Sequence, residues 1–340
     1  MQQYVLARVT SMTGIDLGLF DYDRHNSIYF FILNAEEQIY LRYGGRDAED
    51  AGTYHHLDSL TLALEAGLKQ HALSNAGRLP KQPRPAPRYP QEIASLKREV
   101  IDRNRCVECH LISDYQAQDE EASGRLDKRR TLYPSPDLKT IGIHLEVPRG
   151  LIVARVEGAA APAGLQAGDL ITAIDRTPVL TFGDLQYRFG QLDREASQLD
   201  LTIERQGRPK RLRLRLPAEW WLTDTGYRYW TVEPMVYFTT QPLSPEQQRR
   251  LKLKDGGFAG EVTEVDPLGE SLKLHTLKKG DIVYAVDGIE TSKLTRRVEL
   301  YIKLTMRAGE SATLRLLRNN RPMEMTLKTY RQYFRKQRTE

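Results

Sequence analysis

The chain has 340 residues, of which 40% are hydrophobic and 28% are charged, and its net charge is +5 at neutral pH. This length and apolar content predict two or three globular domains with buried cores. The mild charge is spread over many segments, which argues against a nucleic-acid-binding surface, and no apolar run of 18 residues predicts a transmembrane span.

The first elements predicted along the chain are strands. After a strand in "YVLARVT", two β-branched and aromatic runs, "SIYFFILN" (27–34) and "QIYLRYGG" (38–45), are separated by a polar turn and predict an antiparallel hairpin. Leucines at helical spacing over 57–68 then predict a helix, with Asp58 or Ser59 as its N-cap. The order is therefore strand, hairpin, helix.

This order, over residues 1–73, resembles the C-terminal half of a thioredoxin-like domain. The resemblance implies that the half with the redox dithiol is missing, because the chain begins near the place of the second strand. The loop before the hairpin, "DRHNSI", also lacks the proline that such a domain presents there. An N-terminally truncated thioredoxin-like domain without its active site is the expectation.

A proline-rich stretch follows at 74–90, where five prolines exclude a helix or an inner strand and predict an extended linker with polyproline II character. After it comes a short helical segment, 91–138. Apolar residues at helical spacing in "QEIASLKREVIDRN" place a helix before the motif "CVECH".

The CVECH motif holds both cysteines of the chain, Cys106 and Cys109, followed by His110. C-x-x-C-H is the attachment pattern of haem c: the two thiols add to the vinyl groups and the histidine binds the iron. Three alternatives stay open. They are a redox dithiol, which the preceding helix disfavours because low thiol pKa values arise at helix N-termini; a zinc site completed by a residue such as His144; and a structural pair. No motif singles out a sixth haem ligand.

The second half of the chain is an internal duplication, because "AGDLITAIDRTPV" in residues 139–217 returns as "KGDIVYAVDGIET" in residues 218–330. Each copy resembles a PDZ domain of the bacterial, protease-associated type. The glycines of the two Gly-Asp pairs supply turn conformations, and the aspartates, Asp169 and Asp281, are expected to accept bonds from nearby backbone amides.

A PDZ domain binds an extended peptide between a strand and a helix, with the C-terminal carboxylate held by loop amides. In the first copy we expect the loop and strand wall to be formed by Ile141, Gly142 and Ile143, and the helix wall by Leu185 and Phe189. In the second copy "LSPEQQRRLKLKDGG" is expected at the corresponding place and to form a weaker or differently specific groove. The alternative is that the grooves only pack against neighbouring domains.

Residues 331–340 form a basic tail, interpreted as a solvated end. The whole chain resembles a bacterial family of thioredoxin-like/PDZ proteins, some of them selenoproteins. The segments that carry the resemblance are "RVTSMTGIDLGLFDYD", "IYLRYGGRD", "CVECH", "YPSPDLKTIGIHLE", "AGLQAGDLI" and "AEWWLTDTGYRYW". It implies that a redox pair, with cysteine or selenocysteine, precedes the first residue of this chain.

The sequence thus predicts an α+β multidomain protein: a truncated thioredoxin-like α/β domain, a helical CxxCH segment and two PDZ β-sandwich or barrel domains. The predicted function is a redox-associated envelope scaffold. It would bind protein C-termini or extended peptides, carry one haem c and meet a redox partner protein in the periplasm, where haem is attached. The alternative is a non-redox PDZ adaptor that regulates a protease or assembles a complex. No GxSxG or GDSGG motif occurs, and enzymatic activity of this chain alone is not expected.

Overall fold

The computed structural model describes residues 3–223, 228 and 230–333. The chain forms two compact units, Met1–Arg228 and Tyr229–Glu340. Both mix helices with sheets, which confirms a multidomain α/β chain in the coarse sense. Among the described residues, no helix is long and apolar enough to cross a membrane. The predicted tail is described only as far as residue 333, and its remainder, like part of "AEWWLTDTGYRYW", lies outside the described residues.

The first unit begins with the predicted hairpin and helix. Strand β1 (Tyr29–Leu33) pairs antiparallel with β2 (Ile39–Gly44), and α1 (Leu57–Asn75) follows. The N-cap of α1 is His56, whose ring accepts the backbone N–H of Asp58, so the prediction that Asp58 or Ser59 caps the helix was wrong. The strand predicted in "YVLARVT" is also wrong: within the described residues this stretch has no strand pairing, and most of its apolar side chains face solvent.

The proline-rich stretch contains no helix or strand between residues 78 and 89, as predicted, but it is tied to the segment before the hairpin. The backbone N–H of Leu17 donates to the carbonyl of Arg88 at 2.6 Å. The guanidinium of Arg84 lies 3.2 Å from the carboxylate of Asp16. These contacts hold the second half of the stretch on residues of the same unit.

The segment around the cysteines is helical. Helix α2 (Ala94–Leu96) continues into a π-helical turn at Lys97–Ile101, α3 (Cys109–Ala122) begins inside the CVECH motif, and α4 (Lys128–Thr131) follows. Apolar side chains of these helices pack with the N-terminal segment into a small core of Met12, Leu17, Leu96, Val100, Val107 and Ile112. The spacing of the apolar residues before the motif therefore marks a buried face, as predicted.

The first repeat completes unit 1 with six strands and one helix. In chain order these are β3 (Ile143–Leu145), β4 (Val153–Val156), β5 (Leu170–Ile174), β6 (Thr177–Pro178), α5 (Phe182–Gln191), β7 (Gln198–Arg205) and β8 (Arg208–Arg215). Strands β3 and β4 form one pair, and the order of the other sheet is β6-β5-β7-β8. Period-2 alternation on both sides of Gly207 in "QLDLTIERQGRPKRLRLRL" predicts two strands joined by a turn, and these residues form the β7–β8 hairpin.

The second repeat makes up unit 2. Its elements are β9 (Pro234–Met235), β10 (Phe238–Pro242), α6 (Pro245–Arg250), β11 (Gly260–Val265), α7 (Pro267–Ser271), β12 (Ile282–Val286), α8 (Val298–Thr305), β13 (Ser311–Arg318), β14 (Arg321–Lys328) and β15 (Tyr330–Arg331). The main sheet has the order β10-β11-β12-β13-β14, and β15 pairs with β9. Helix α8 covers this sheet through a core that includes Val298 and Ile302.

Candidate peptide-binding grooves

The loop of the first groove is a 3-10 turn, Leu138–Ile141, that ends at Gly142. Asp137 caps the turn by accepting the backbone N–H of Lys139 at 3.2 Å. Gly142 has φ 85°, and its carbonyl accepts the backbone N–H of Glu157 at 2.8 Å. A Cβ at Gly142 would collide with the Glu157 backbone, so both the φ value and the space require glycine. The turn leads directly into β3.

The helix wall is α5, which begins at the N-cap Thr181. The predicted pocket residues Leu185 and Phe189 point into the domain and are completely buried. The ring of Phe189 packs against the indole of Trp220, with 4.7 Å between ring centroids. The hydroxyl of Thr140 in the loop donates to the carbonyl of Trp220 at 2.6 Å. Trp220 thus contacts the loop and the helix wall.

All five predicted groove residues therefore lie in one domain, on the predicted loop, strand and helix. Ile141 and Ile143 are buried with Leu185 and Phe189, so these four side chains form core in this structure. Their part in peptide binding stays a prediction. The fifth residue, Gly142, shapes the backbone of the loop.

The second domain repeats this backbone geometry at a place the sequence did not indicate. The carbonyl of Tyr237, which has φ 57°, accepts the backbone N–H of Asp266 at 2.9 Å, matching the pair of Gly142 and Glu157. The strand that follows, β10, also has a β-bulge at the same step as β3. The prediction of "LSPEQQRRLKLKDGG" was wrong, because that stretch forms α6 and a turn after β10.

Two polar contacts join α8 to the strand side of the second groove. The hydroxyl of Thr240 in β10 donates to Glu299 at 2.5 Å. The ammonium of Lys303, one turn further along α8, lies 2.8 Å from the carboxylate of Glu233. The first bond therefore joins β10 to α8 inside the domain, where both of its side chains are buried, and the second joins α8 to the residue before β9.

The Gly-Asp pairs have the predicted structural role and one more. Asp169 accepts the backbone N–H of Gln166, and Asp281 accepts that of Lys278. Each aspartate also binds an arginine with two bonds, Asp169 with Arg205 at 2.7 Å and Asp281 with Arg318 at 2.6 and 2.8 Å. Although burial opposes it, the bonds from Arg205 hold the pKa of Asp169 below its usual value. Each arginine is the last residue of the first strand of its hairpin, β7 or β13. Aligning the two copies of the repeat in the sequence would therefore have indicated that these arginines are equivalent.

The CVECH motif lies between two helices. Cys106 is exposed, Cys109 is half-buried and is the first residue of α3, and the His110 ring is 3.5 Å from Glu108. The argument that a helix only precedes the motif was therefore wrong, because a thiol stands at a helix N-terminus. Burial and a hydrogen bond with Cys109 raise the pKa of Tyr22.

Among the described residues, no group of three or more His, Cys, Asp or Glu side chains could hold a metal ion, at the motif or elsewhere. His144, the suggested zinc ligand, lies in β3 and contacts Glu157 at 2.7 Å. Attachment of haem c or binding of zinc at Cys106, Cys109 and His110 stays a prediction.

Similarity to known proteins points to proteases. No protein-family model matches the sequence. The chain is 27% identical over 194 residues to a probable periplasmic serine endoprotease DegP-like of Pseudomonas savastanoi pv. phaseolicola, a match that covers 54% of this chain and 38% of the relative. It is 28% identical over 146 residues to the periplasmic pH-dependent serine endoprotease DegQ of Escherichia coli, covering 42% and 30% of the two chains. The chain thus spans about two fifths of the length of the first of these relatives.

Among solved structures, the HtrA-type protease AlgW with decapeptide is 16% identical, with a TM-score of 0.28 and cover of 48% of this chain and 50% of that one. This TM-score supports no argument about shared geometry. The PDZ part of the predicted family resemblance is confirmed by the relatives, and so is the periplasmic location. The thioredoxin-like, CxxCH and selenoprotein part gains no support from them.

The predicted function was wrong. The relatives are serine endoproteases, which overturns the haem-carrying redox scaffold, and the non-redox adaptor that was the alternative also left out proteolysis.

Proposed function

We propose that this chain takes part in periplasmic proteolysis of the HtrA/DegP type, and that its PDZ domains bind the peptide segments on which that proteolysis acts. The observation that supports this most is the repeated loop, strand and helix. Gly142 and Tyr237 occupy equivalent positions before β3 and β10, with the same carbonyl bond to the residue after the partner strand. Similarity to DegP-like endoproteases supports the proteolytic setting.

The geometry suits capture of an extended peptide by strand addition. Each of β3 and β10 pairs with one neighbour, β4 or β11, and lies at the edge of its sheet in the described part of the chain. The free edge of such a strand offers backbone N–H and C=O groups to a further strand. Lys303 on α8, whose side chain is 25% exposed, would then select polar peptide side chains at the second domain, whereas Phe182 would favour apolar ones at the first.

The N-terminal part keeps its thioredoxin-like assignment as a proposal. The β1–β2 hairpin followed by α1 supports it, because a closing helix after a hairpin is the order that the resemblance implies.

Peptide binding is tested with the full chain and fluorescent decapeptides of random sequence, each made with a free C-terminus and with a C-terminal amide. We expect fluorescence anisotropy to show binding of the free form at micromolar concentration and at least tenfold weaker binding of the amide, because loop amides bind a carboxylate. Equal affinity for both forms would contradict recognition of C-termini. In cells, the half-life of an unfolded periplasmic reporter should lengthen when the gene is deleted; an unchanged half-life argues against a part in proteolysis.

A further inference from the structure

We propose that residues 42–47 of this chain, here called the docked segment, occupy the first PDZ groove and must be displaced before a peptide can bind there. The inference rests on the proposed peptide-binding function. Four observations carry it: contacts with the helix wall, contacts with the loop wall, the direction of the segment and its burial.

The docked segment lies against the helix wall without space between them. A Cβ at Gly45 would come within 2.7 Å of the ring of Phe182 and of Gln186 Oε1. The side-chain amide of Gln186 donates to the carbonyl of Arg46 at 2.9 Å. A Cβ at Gly183 would lie 2.9 Å from the carbonyl oxygen of Arg42. Glycine on both partners therefore allows backbone and helix to touch.

The same stretch of chain also contacts the loop wall. Asp47 Oδ2 lies 2.6 Å from the ammonium of Lys139, inside the loop that precedes β3. Shortly after the segment, Tyr54 donates to the carboxylate of Asp137 at 2.7 Å, and its ring stacks on Phe182 with 3.3 Å between centroids. Because one stretch contacts both walls, it stands where a peptide would have to enter.

The direction of the docked segment matches that expected for a bound peptide. Arg42, the first residue of the segment, contacts the first turn of α5. Its carbonyl accepts a hydrogen bond from the hydroxyl of Thr181, and its backbone N–H donates to the carboxylate of Asp184. Asp47 ends the segment at the loop, which in a PDZ domain receives the C-terminal carboxylate. The carboxylate of Asp47 beside Lys139 thus supplies the same chemical group, and the preferred competitor is an extended peptide with an acidic end.

Burial shows that the contact is extensive. Residues 43–47 are all buried, and the Asp47 side chain is only 3% exposed, although the segment carries three charged residues, Arg42, Arg46 and Asp47. The part of the segment that follows β2, residues 45–47, would normally face water as a connecting loop. Its burial follows from the charge pair with Lys139 and the bonds to α5.

The test uses the full chain, two variants that weaken docking and one matched control. Gly183→Ala adds a methyl group against the Arg42 carbonyl while alanine favours the helix, so α5 itself should not suffer. Asp47→Asn removes the charge facing Lys139 but keeps the oxygen that accepts the amides of Glu49 and Asp50. Asp58→Asn, at an exposed position of α1, makes the same charge change away from the groove.

Two measurements are made on each protein. Hydrogen exchange of residues 45–47, which follow β2, reports docking without peptide, and anisotropy of a fluorescein-labelled octapeptide YLRYGGRD, which copies residues 40–47, reports peptide binding. Exchange over residues 138–145 with the peptide present identifies the first groove as its site. We expect Gly183→Ala and Asp47→Asn to raise exchange of the segment and to tighten peptide binding at least fivefold, with Asp58→Asn like the wild type.

The possible failures are distinguishable. If exchange of residues 45–47 stays as slow in Gly183→Ala as in the wild type, the segment is not held by this contact and the inference is overturned. If exchange rises but the octapeptide binds no more tightly, the segment does not compete for the groove, which also overturns it. If no variant binds either the octapeptide or the decapeptides at any concentration tested, the proposed peptide-binding function fails with it.

Discussion

Asp184 gives the sharpest prediction because its carboxyl group is buried at the contact between α5 and the docked segment. Burial raises the pKa of Asp184 to about 6. Bonds from the backbone N–H groups of Arg42, at 2.9 Å, and Leu180, at 3.3 Å, oppose that shift. The substitution Asp184→Asn removes the ionisable group and keeps an oxygen for the Arg42 N–H.

The magnitude follows from the shift. In the unfolded chain this carboxyl loses its proton near its usual pKa of 3.8, whereas in the folded chain it keeps the proton up to about pH 6. Between these values the folded state binds more protons, so the free energy of unfolding falls as the pH rises. A shift of about two pKa units corresponds to about 3 kcal/mol, lost progressively from pH 4 to above pH 6. Asparagine does not titrate, so the variant lacks this loss.

The assay is urea unfolding followed by circular dichroism at 222 nm, at pH 4, 5, 6 and 7.5, for the wild type and Asp184→Asn. We expect the stability of the variant relative to the wild type to rise by about 2.5 kcal/mol between pH 4 and pH 7.5, because part of the total is already lost at pH 4. The exposed control Asp58→Asn should show no comparable trend. A difference between Asp184→Asn and wild type that stays constant within about 0.5 kcal/mol over this range would refute the reasoning, because it would mean that the carboxyl titrates alike in both states.

Three further predictions concern the PDZ domains. Trp220→Ala should destabilise the first unit by about 3–5 kcal/mol, since it removes a buried indole, while the partly exposed Phe30→Ala should cost much less; similar costs in urea unfolding would contradict this. Arg205→Lys and Arg318→Lys each lose a two-bond contact with the Gly-Asp aspartate, so each should cost about 1–2 kcal/mol in its own unit, and a change below about 0.3 kcal/mol by the same assay would show that the pair contributes little. Gly142→Ala should lower the melting temperature because of the positive φ and the nearby Glu157 backbone; an unchanged value would mean that the loop relaxes without cost.

Much of the secondary structure could be predicted because its signals are local. The β-branched and aromatic runs in residues 27–34 and 38–45 predicted the first hairpin, and Gly207 marked the turn of another. The repeated Gly-Asp pairs predicted two domains of one kind, which the matching bonds of Asp169 and Asp281 reflect. The stretch "YVLARVT" has the composition of a strand but forms none in the described residues. A strand needs a neighbouring strand to pair with, and composition alone does not supply one.

The duplicated PDZ-type domains, the first hairpin and the loop glycine Gly142 could be predicted because each depends on residues close together in the chain. Whether the first groove is open depends on tertiary contacts. Its occupation depends on contacts between Asp47 and Lys139 and between Arg42 and Asp184, residues separated by 92 and 142 positions. Such pairings leave no periodic trace in the sequence, because either partner alone is an ordinary charged residue, and the free energy of the contact exists only once folding has buried both.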